Sequence, residues 1–191
     1  AAGWHSHVDG QLCLLSRYPT RDASGLTWDN LVAAREAGLG GSSQAVKYVI
    51  EAPQRPIRLV NLHLETPRKG FESALQLGVR RINENTTLRT AESHRTREWL
   101  GKGEGALVVV GDFNMPVESA IYRRDWSEFR NAFSEAGRGF GATKDNGWIQ
   151  VRIDHVLTGA RWRVRKVVVG PVTGVDHRPV IADLSWIEAR R

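Results

Sequence analysis

Four short segments of this chain set carboxylates, imidazoles and a carboxamide within or at the end of apolar, strand-like runs: NLHLE at 61–65, VVVGDFNMP at 108–116, VRIDHVL at 151–157 and GVDHRPV at 174–180. Carboxylates bind hard cations and take protons from water, and an imidazole changes its protonation near neutral pH. In the first segment, strand periodicity sends Leu62 and Leu64 to one face and Asn61, His63 and Glu65 to the other. A half-exposed strand gives the same pattern, so the meaning of these three depends on what lies beside them. In the second, Asp112 ends an apolar run, where it can poise a water or bind a cation, and Asn114 can point to the same side. Gly111 permits a tight turn there. An Asp-initiated turn is the alternative for Gly-Asp alone, whereas GDFN after three valines is more specific.

In the third segment Asp154 interrupts a β-branched strand. A carboxylate there costs stability unless it is paired or hydrated, which asks for an imidazole or arginine partner or a structural salt bridge. His155 faces the opposite side and reads as structural. In the fourth, Asp176 and His177 put a hard oxygen ligand next to a titratable ring. Alone the pair says little, but it completes an order: HLE strand, GDFN turn, IDH strand, DH before the last strand.

The elements that must position these residues follow from periodicity. Apolar runs at 11–15, 45–52, 57–64, 106–110, 150–158, 162–169 and 179–184 have strand length and β-branched content. Phe71, Ala74, Leu75, Gly78, Val79 and Ile82 recur at three- and four-residue steps and predict a helix over 71–82. Trp126, Phe129, Phe133 and Ala136 predict another. The polar stretch 85–100 carries a weaker stripe through Leu88, Ala91 and Trp99 and is assigned helix, and 25–43 is assigned a long loop. Strands and helices in this order suggest an α/β sandwich, two sheets with helices outside. There is no internal repeat or linker, so residues 1–191 read as one domain.

Composition bounds the rest. Of 191 residues, 41% are hydrophobic and 25% charged, which is ordinary for a globular core. No run approaches the roughly 18 apolar residues of a membrane span, and AAGWHSHVDG lacks the basic start and apolar middle of a signal peptide, so no targeting or transmembrane segment is expected. The chain begins at Ala1 and its one methionine is Met115, which places the start codon outside this sequence. The single cysteine, Cys13 in LCLL, reads as a small core residue. His5, His7 and Asp9 alternate like transition-metal ligands, but a solvated N-terminal tail is the favoured reading. Twenty-seven Lys plus Arg against 21 Asp plus Glu give a net charge of +6, which favours a polyanionic partner or else a solvated basic surface.

With SRYP at 16–19, the order NLHLE, GDFN, RIDHV and DHRPV resembles the endonuclease/exonuclease/phosphatase superfamily over nearly the whole chain. The resemblance implies a two-sheet α/β sandwich of that type and a phosphoesterase dependent on Mg2+ or Mn2+. It implies that Asp112 orients or deprotonates the attacking water and that Asn114 holds the scissile phosphate and Asp112. His177 would contact the phosphate with Asp154 holding its ring, His63 would donate to a phosphate oxygen, and Asp176 would lie at or near the metal. Val175 stands where the family usually has Ser, which removes a hydrogen bond but neither chemical group.

Full-length members begin with two further strands, one carrying an Asn motif and the next a metal-binding Glu, and this chain starts after both. By this reading the fold is N-terminally truncated, and another chain or self-association covers the face left open. Asp112, Asn114 and Asp176 then hold the metal, with Glu65 the candidate replacement for the missing Glu. A nuclease acting on DNA foremost, or RNA, is the leading expectation. A phosphatase of a small or lipid-linked phosphate and a non-catalytic nucleic-acid-binding remnant are the alternatives.

Overall fold

The computed structural model describes residues 3–26, 44–68, 79–101, 105–145, 147 and 150–188. Of the helix expected over 71–82, residues 71–78 lie outside these residues and 79–82 are helical, and of the loop expected over 25–43, residues 27–43 lie outside them and 25–26 end a strand. The seven apolar runs all become strands. They are β2 (Leu12–Ser16), β4 (Gln44–Ile50), β5 (Ile57–His63), β6 (Leu107–Asp112), β9 (Gln150–Val151) with β10 (Asp154–Thr158), β11 (Trp162–Val169) and β12 (Val180–Trp186). Four further strands complete the set: β1 (His5–Asp9), β3 (Thr20–Leu26), β7 (Arg130–Asn131) and β8 (Lys144–Asp145).

A six-stranded sheet of order β3-β4-β5-β6-β10-β7 forms the centre, with β5 and β6 parallel and the other pairs antiparallel. Strand alternation splits its side chains between two faces. Val60, Leu62, Val109 and Leu157 enter the largest core cluster with Ile121, Tyr122 and Trp126. Ile57 and Leu59 face the other way, where Leu12, Val46, Tyr48 and Ile50 form a second cluster under the β1-β2 hairpin. A third cluster joins Val156 of β10 to Ala132, Phe133, Val164, Val167, Val180 and Leu184 under the β11-β12 hairpin. The α/β sandwich is therefore present, but among the described residues its second layer is two separate hairpins rather than one continuous sheet.

Several local expectations change. Residues 5–9 are not a loose tail: they pair with β2 from His5↔Ser16 to Asp9↔Leu12, and the His7 ring stands edge-on to Tyr48 at 5.5 Å. Cys13 is exposed rather than in the core, because the hairpin rests one face on the sheet and the two-residue period gives that face to Leu12 and Leu14.

The long helix α1 (Val79–Leu100) buries Asn85, Glu92, Ser93 and Thr96 instead of the Leu88–Ala91–Trp99 stripe. Their polar atoms are bonded except Glu92 Oε1, which is buried with no hydrogen-bond partner among the described residues. Ser93 donates to Asp125 at 2.7 Å and accepts from Trp126 Nε1 at 2.9 Å, while Asn85 donates to the Thr66 carbonyl at 3.2 Å.

Of the helix expected through Trp126 and Ala136 only the end forms, as the short α3 (Ala132–Ala136), while a separate helix α2 (Ala120–Asp125) stops just before Trp126. Asn131 breaks the run. Its side chain caps α3 by accepting from the Ser134 N–H at 3.1 Å, while its backbone pairs with Leu157 as part of β7.

Candidate active site

The ends of three adjacent strands carry the chemistry. In the parallel β5/β6 pair His63 lies opposite Asp112, and in the antiparallel β6/β10 pair Asp112 lies opposite Asp154. Cross-strand neighbours share a face, so His63, Asp112 and Asp154 stand in one row on the side of the sheet away from α1 and α2. His177 reaches the row from the loop before β12, fastened by an isolated bridge to Lys144.

GDFN works because its residues divide. Phe113 is fully buried and meets Trp126 edge-on at 5.0 Å and His155 at 5.3 Å, anchoring the turn in the core. Asn114 takes a positive φ of 50°, a left-handed conformation that Asn tolerates better than most residues. That turn lets the Asn114 N–H donate to Asp112 Oδ1 at 2.8 Å and its side-chain amide donate to the Leu64 carbonyl at 2.7 Å. At Gly111 φ is 137°, and a Cβ would fall 1.9 Å from the Leu62 carbonyl oxygen. Only glycine lets β6 approach β5 so closely at this point.

With Oδ1 of Asp112 held by the turn, Oδ2 faces the site between two rings, 3.8 Å from His63 Nε2 and 3.9 Å from His177 Nε2. Both separations are too long for direct hydrogen bonds. His177 is oriented by Asp154: its Nδ1–H donates to Asp154 Oδ2 at 2.9 Å, and Nε2 accepts from the Lys144 ammonium at 2.8 Å. Asp154 is itself fixed from behind, since the buried Thr143 Oγ1 accepts from the Ile153 and Asp154 N–H groups at 3.1 Å each. Burial, reinforced by the neighbouring Asp154 carboxylate, raises the Asp112 pKa against the opposing pull of the Asn114 N–H and the two imidazoles. His155 is buried on the opposite face. Its Nε2–H donates to the Met115 carbonyl at 2.9 Å, and burial pushes it down to about 4, so it stays neutral and structural.

Asp112, Asp154 and His177 offer ligand atoms that all lie within 4.8 Å of one another, the one such group among the described residues. This donor set suits a hard divalent cation, which needs only one or two protein carboxylates when water and substrate phosphate complete its shell. Asp154 already serves His177, so Asp112 Oδ2 is the free oxygen. The structure does not bring the other two expected carboxylates into the group. Asp176 lies exposed against Lys144 at 2.7 Å, a hydrogen bond that lowers its pKa. Glu65 lies beyond the end of β5 and is buried, its N–H donating to Glu92 Oε2 at 2.6 Å.

A cavity of about 580 Å³ opens beside the row, lined by Val110, Asp112, Asp154, Val156, His177 and Val180 among others. Three contributors escaped sequence reasoning. Lys144 sits in GATKDNG, a segment with no periodic signal, and only the fold puts its ammonium on His177. Arg89 donates to the Glu65 carbonyl at 3.1 Å and to the Asn114 carbonyl at 2.9 Å, tying together the two turns that carry His63 and Asp112. Glu92, with no exposed surface, completes that brace, and burial pushes it up to about 8. The spacing of Arg89 and Glu92 on one helix face was readable, but polar residues at helical spacing ordinarily mark a solvated face.

The fold has known relatives. The chain matches the Endonuclease/Exonuclease/phosphatase family over residues 4–186. No curated protein sequence matches it. Among solved structures it is similar to the 3' phosphatase NExo from Neisseria, bound to a product DNA hairpin, with a TM-score of 0.63 and 18% identity over 96% of this chain and 80% of that one. It is also similar to a mannosyl-6-phosphatase of Bacteroides thetaiotaomicron, with a TM-score of 0.60 and 15% identity over 91% of this chain and 70% of that one. The catalytic domain of human Nocturnin, with a bound sulfate anion, gives a TM-score of 0.55 and 16% identity over 92% of this chain and 63% of that one. Members of this family are hydrolases acting on phosphoester bonds and are generally dependent on a divalent metal. With the family's pattern spanning residues 4–186, the chain belongs to the endonuclease/exonuclease/phosphatase family.

Proposed function

We propose that this chain is a divalent-metal-dependent nuclease that hydrolyses phosphodiester bonds of DNA or RNA. The observation that carries the chemistry is the convergence of Asp112, Asp154 and His177 within 4.8 Å, with His63 beside them. The preference for a nucleic acid rests on the net charge of +6. Hydrolysis of a phosphodiester requires a water placed in line with the leaving oxygen, neutralisation of the nonbridging oxygens, and a proton for the departing alkoxide. Asp112 Oδ2 is the group placed to hold that water and accept its proton. His177 has Nδ1–H committed to Asp154, so Nε2 is the ring atom that meets the phosphate once the Lys144 ammonium shifts from it, and the Asp154 carboxylate stabilises the ring when it carries a proton. His63 approaches from the other side of Asp112 to donate to a nonbridging oxygen, and Asn114 keeps Asp112 in position. A Mg2+ or Mn2+ held by the Asp112, Asp154 and His177 group would supply the remaining charge neutralisation.

The test is cleavage of plasmid and of labelled oligonucleotides with Mg2+, Mn2+ or chelator, with para-nitrophenyl phosphate run in parallel. Metal-dependent cleavage abolished by chelator is the expected result. Turnover of para-nitrophenyl phosphate with no cleavage of any nucleic acid would overturn the nuclease assignment.

A further inference from the structure

Part of the positive charge on this surface is neutralised: Arg21, Arg55, Arg80, Arg124 and Arg130 each sit against a carboxylate. Arg138, Arg165, Lys166 and Arg178 do not. Among the described residues none of the four has an ion-pair partner. Arg165 donates to the Ser185 hydroxyl at 2.7 Å and Arg178 to the Gly170 carbonyl at 2.8 Å, neither of which neutralises charge. All four line one groove of about 600 Å³ between α3 and β11, floored by Phe133 and Val167 and without an acidic residue in its lining. The concentration of charge has a local cause. The β11/β12 register slips between Val164 and Lys166, and this bulge leaves Arg165 and Lys166, consecutive in sequence, both exposed.

Two more features define what the groove could take. Arg178 lines both this groove and the cavity beside Asp112, so the two openings meet at the residue next to His177. Phe140 stands 69% exposed between Gly139 and Gly141, whose φ values are 74° and 68°. A Cβ on Gly141 would fall 2.1 Å from the Phe133 ring, so glycine is required for the loop to pass over the groove floor and present Phe140. A cationic track with an exposed aromatic ring at its rim is how sequence-tolerant proteins hold single strands: cations follow the phosphates and the ring stacks on a base.

From these observations we infer that the α3/β11 groove binds single-stranded nucleic acid, with Arg138, Arg165, Lys166 and Arg178 on the phosphate backbone and Phe140 stacked on a base, leading the strand to His177. The inference rests on the nuclease reading above and adds to it the strand state of the substrate and the path that the strand takes.

Binding of a short fluorescein-labelled oligothymidylate, followed by anisotropy in chelator so that no cleavage occurs, tests it. Four phosphate contacts at about 0.7 each give an expected log–log salt slope of about −3. R165Q/K166Q is expected to weaken binding about tenfold at moderate salt and to reduce the slope by about 1.4. Phe140→Ala is expected to weaken it roughly tenfold with the slope unchanged. Thermal melts of each variant establish that it is folded. Unchanged affinity in both variants, or binding of duplex in preference to the single strand, would overturn the groove assignment. Hydrolysis of bis(para-nitrophenyl) phosphate by the parent, read alongside, separates the two ideas. Hydrolysis without oligothymidylate binding overturns the groove and leaves the phosphoesterase intact. Groove-dependent binding without hydrolysis of any ester supports the groove and overturns the enzyme.

Discussion

Replacing Asn114 separates the two things that the GDFN turn asks of one side chain. Asn114→Ala removes the amide that donates to the Leu64 carbonyl at 2.7 Å, leaving a buried acceptor unsatisfied at a cost of about 1–3 kcal/mol. It also places a Cβ-bearing residue without a compensating polar group at φ 50°, worth roughly 1 kcal/mol more. The sum is about 2–4 kcal/mol, a large fraction of a typical domain's stability. Asn114→Gly loses the same hydrogen bond but adopts a positive φ without steric cost, so it should be less destabilised than the alanine variant by about 1 kcal/mol. Urea denaturation of parent and both variants measures this directly from the midpoints at constant slope. Both variants keep the backbone N–H that donates to Asp112, so the carboxylate stays oriented and any additional loss of turnover belongs to the missing carboxamide. If alanine proves no worse than glycine, or if both lie within about 0.5 kcal/mol of the parent, the account of this turn is wrong.

Other predictions concern the chemistry and its supports. Asp112→Asn and His177→Ala should each lower turnover on the order of 100-fold or more in steady-state assays while the thermal melt shows a folded protein. Added Mg2+ or Mn2+ should raise the melting temperature of the parent, because a ligand that binds only the folded chain stabilises it, and Asp112→Asn should lose most of that rise. Glu92 is raised to about 8 by burial, so its contribution to stability is full below its ordinary carboxylate range and is lost as pH climbs through 8. Glu92→Gln should therefore flatten the decline in stability between about pH 5 and 9, on the order of a few kcal/mol, as measured by denaturation at each pH. An equally steep decline in that variant would place the titrating group elsewhere.

The sequence disclosed what depends on local pattern. Every apolar run became a strand, since burial on a sheet needs only two-residue alternation or a continuous β-branched stretch. Residues 5–9 and 20–26 gave no such signal, because β1 and β3 are almost wholly exposed and are held by their ladders rather than by apolar side chains. The buried face of α1 was hidden for the opposite reason: Glu92, Ser93 and Thr96 are polar yet fully covered, with the partners of Glu92 and Ser93 on other elements and that of Thr96 a carbonyl of its own helix. Candidate residues were legible where motif and strand end coincide, as at His63, Asp112, Asp154 and His177. Lys144 and Arg89 were not, since each acts across a distance in sequence that no spacing rule spans. The distinction between Asp154 and Asp176 was likewise a matter of folding: one is turned to the His177 ring and the other to Lys144 in solvent.

Gly111 bears on how this site can vary. Its missing side chain is what lets β6 close on β5 at Leu62, one residue before His63 and Asp112 come side by side. A larger residue there would have to push against main-chain atoms, which cannot move without carrying both strand ends with them. The neighbouring His63 and Asp112 could be exchanged for chemical relatives and still leave the strands in register, but this position has no relatives. Change can thus accumulate in the loops, whereas the inter-strand gap that sets the spacing of the imidazole and carboxylate is closed to gradual change. A library randomised from 108 to 113 and selected only for soluble, folded protein should already return glycine at 111, before any activity is demanded.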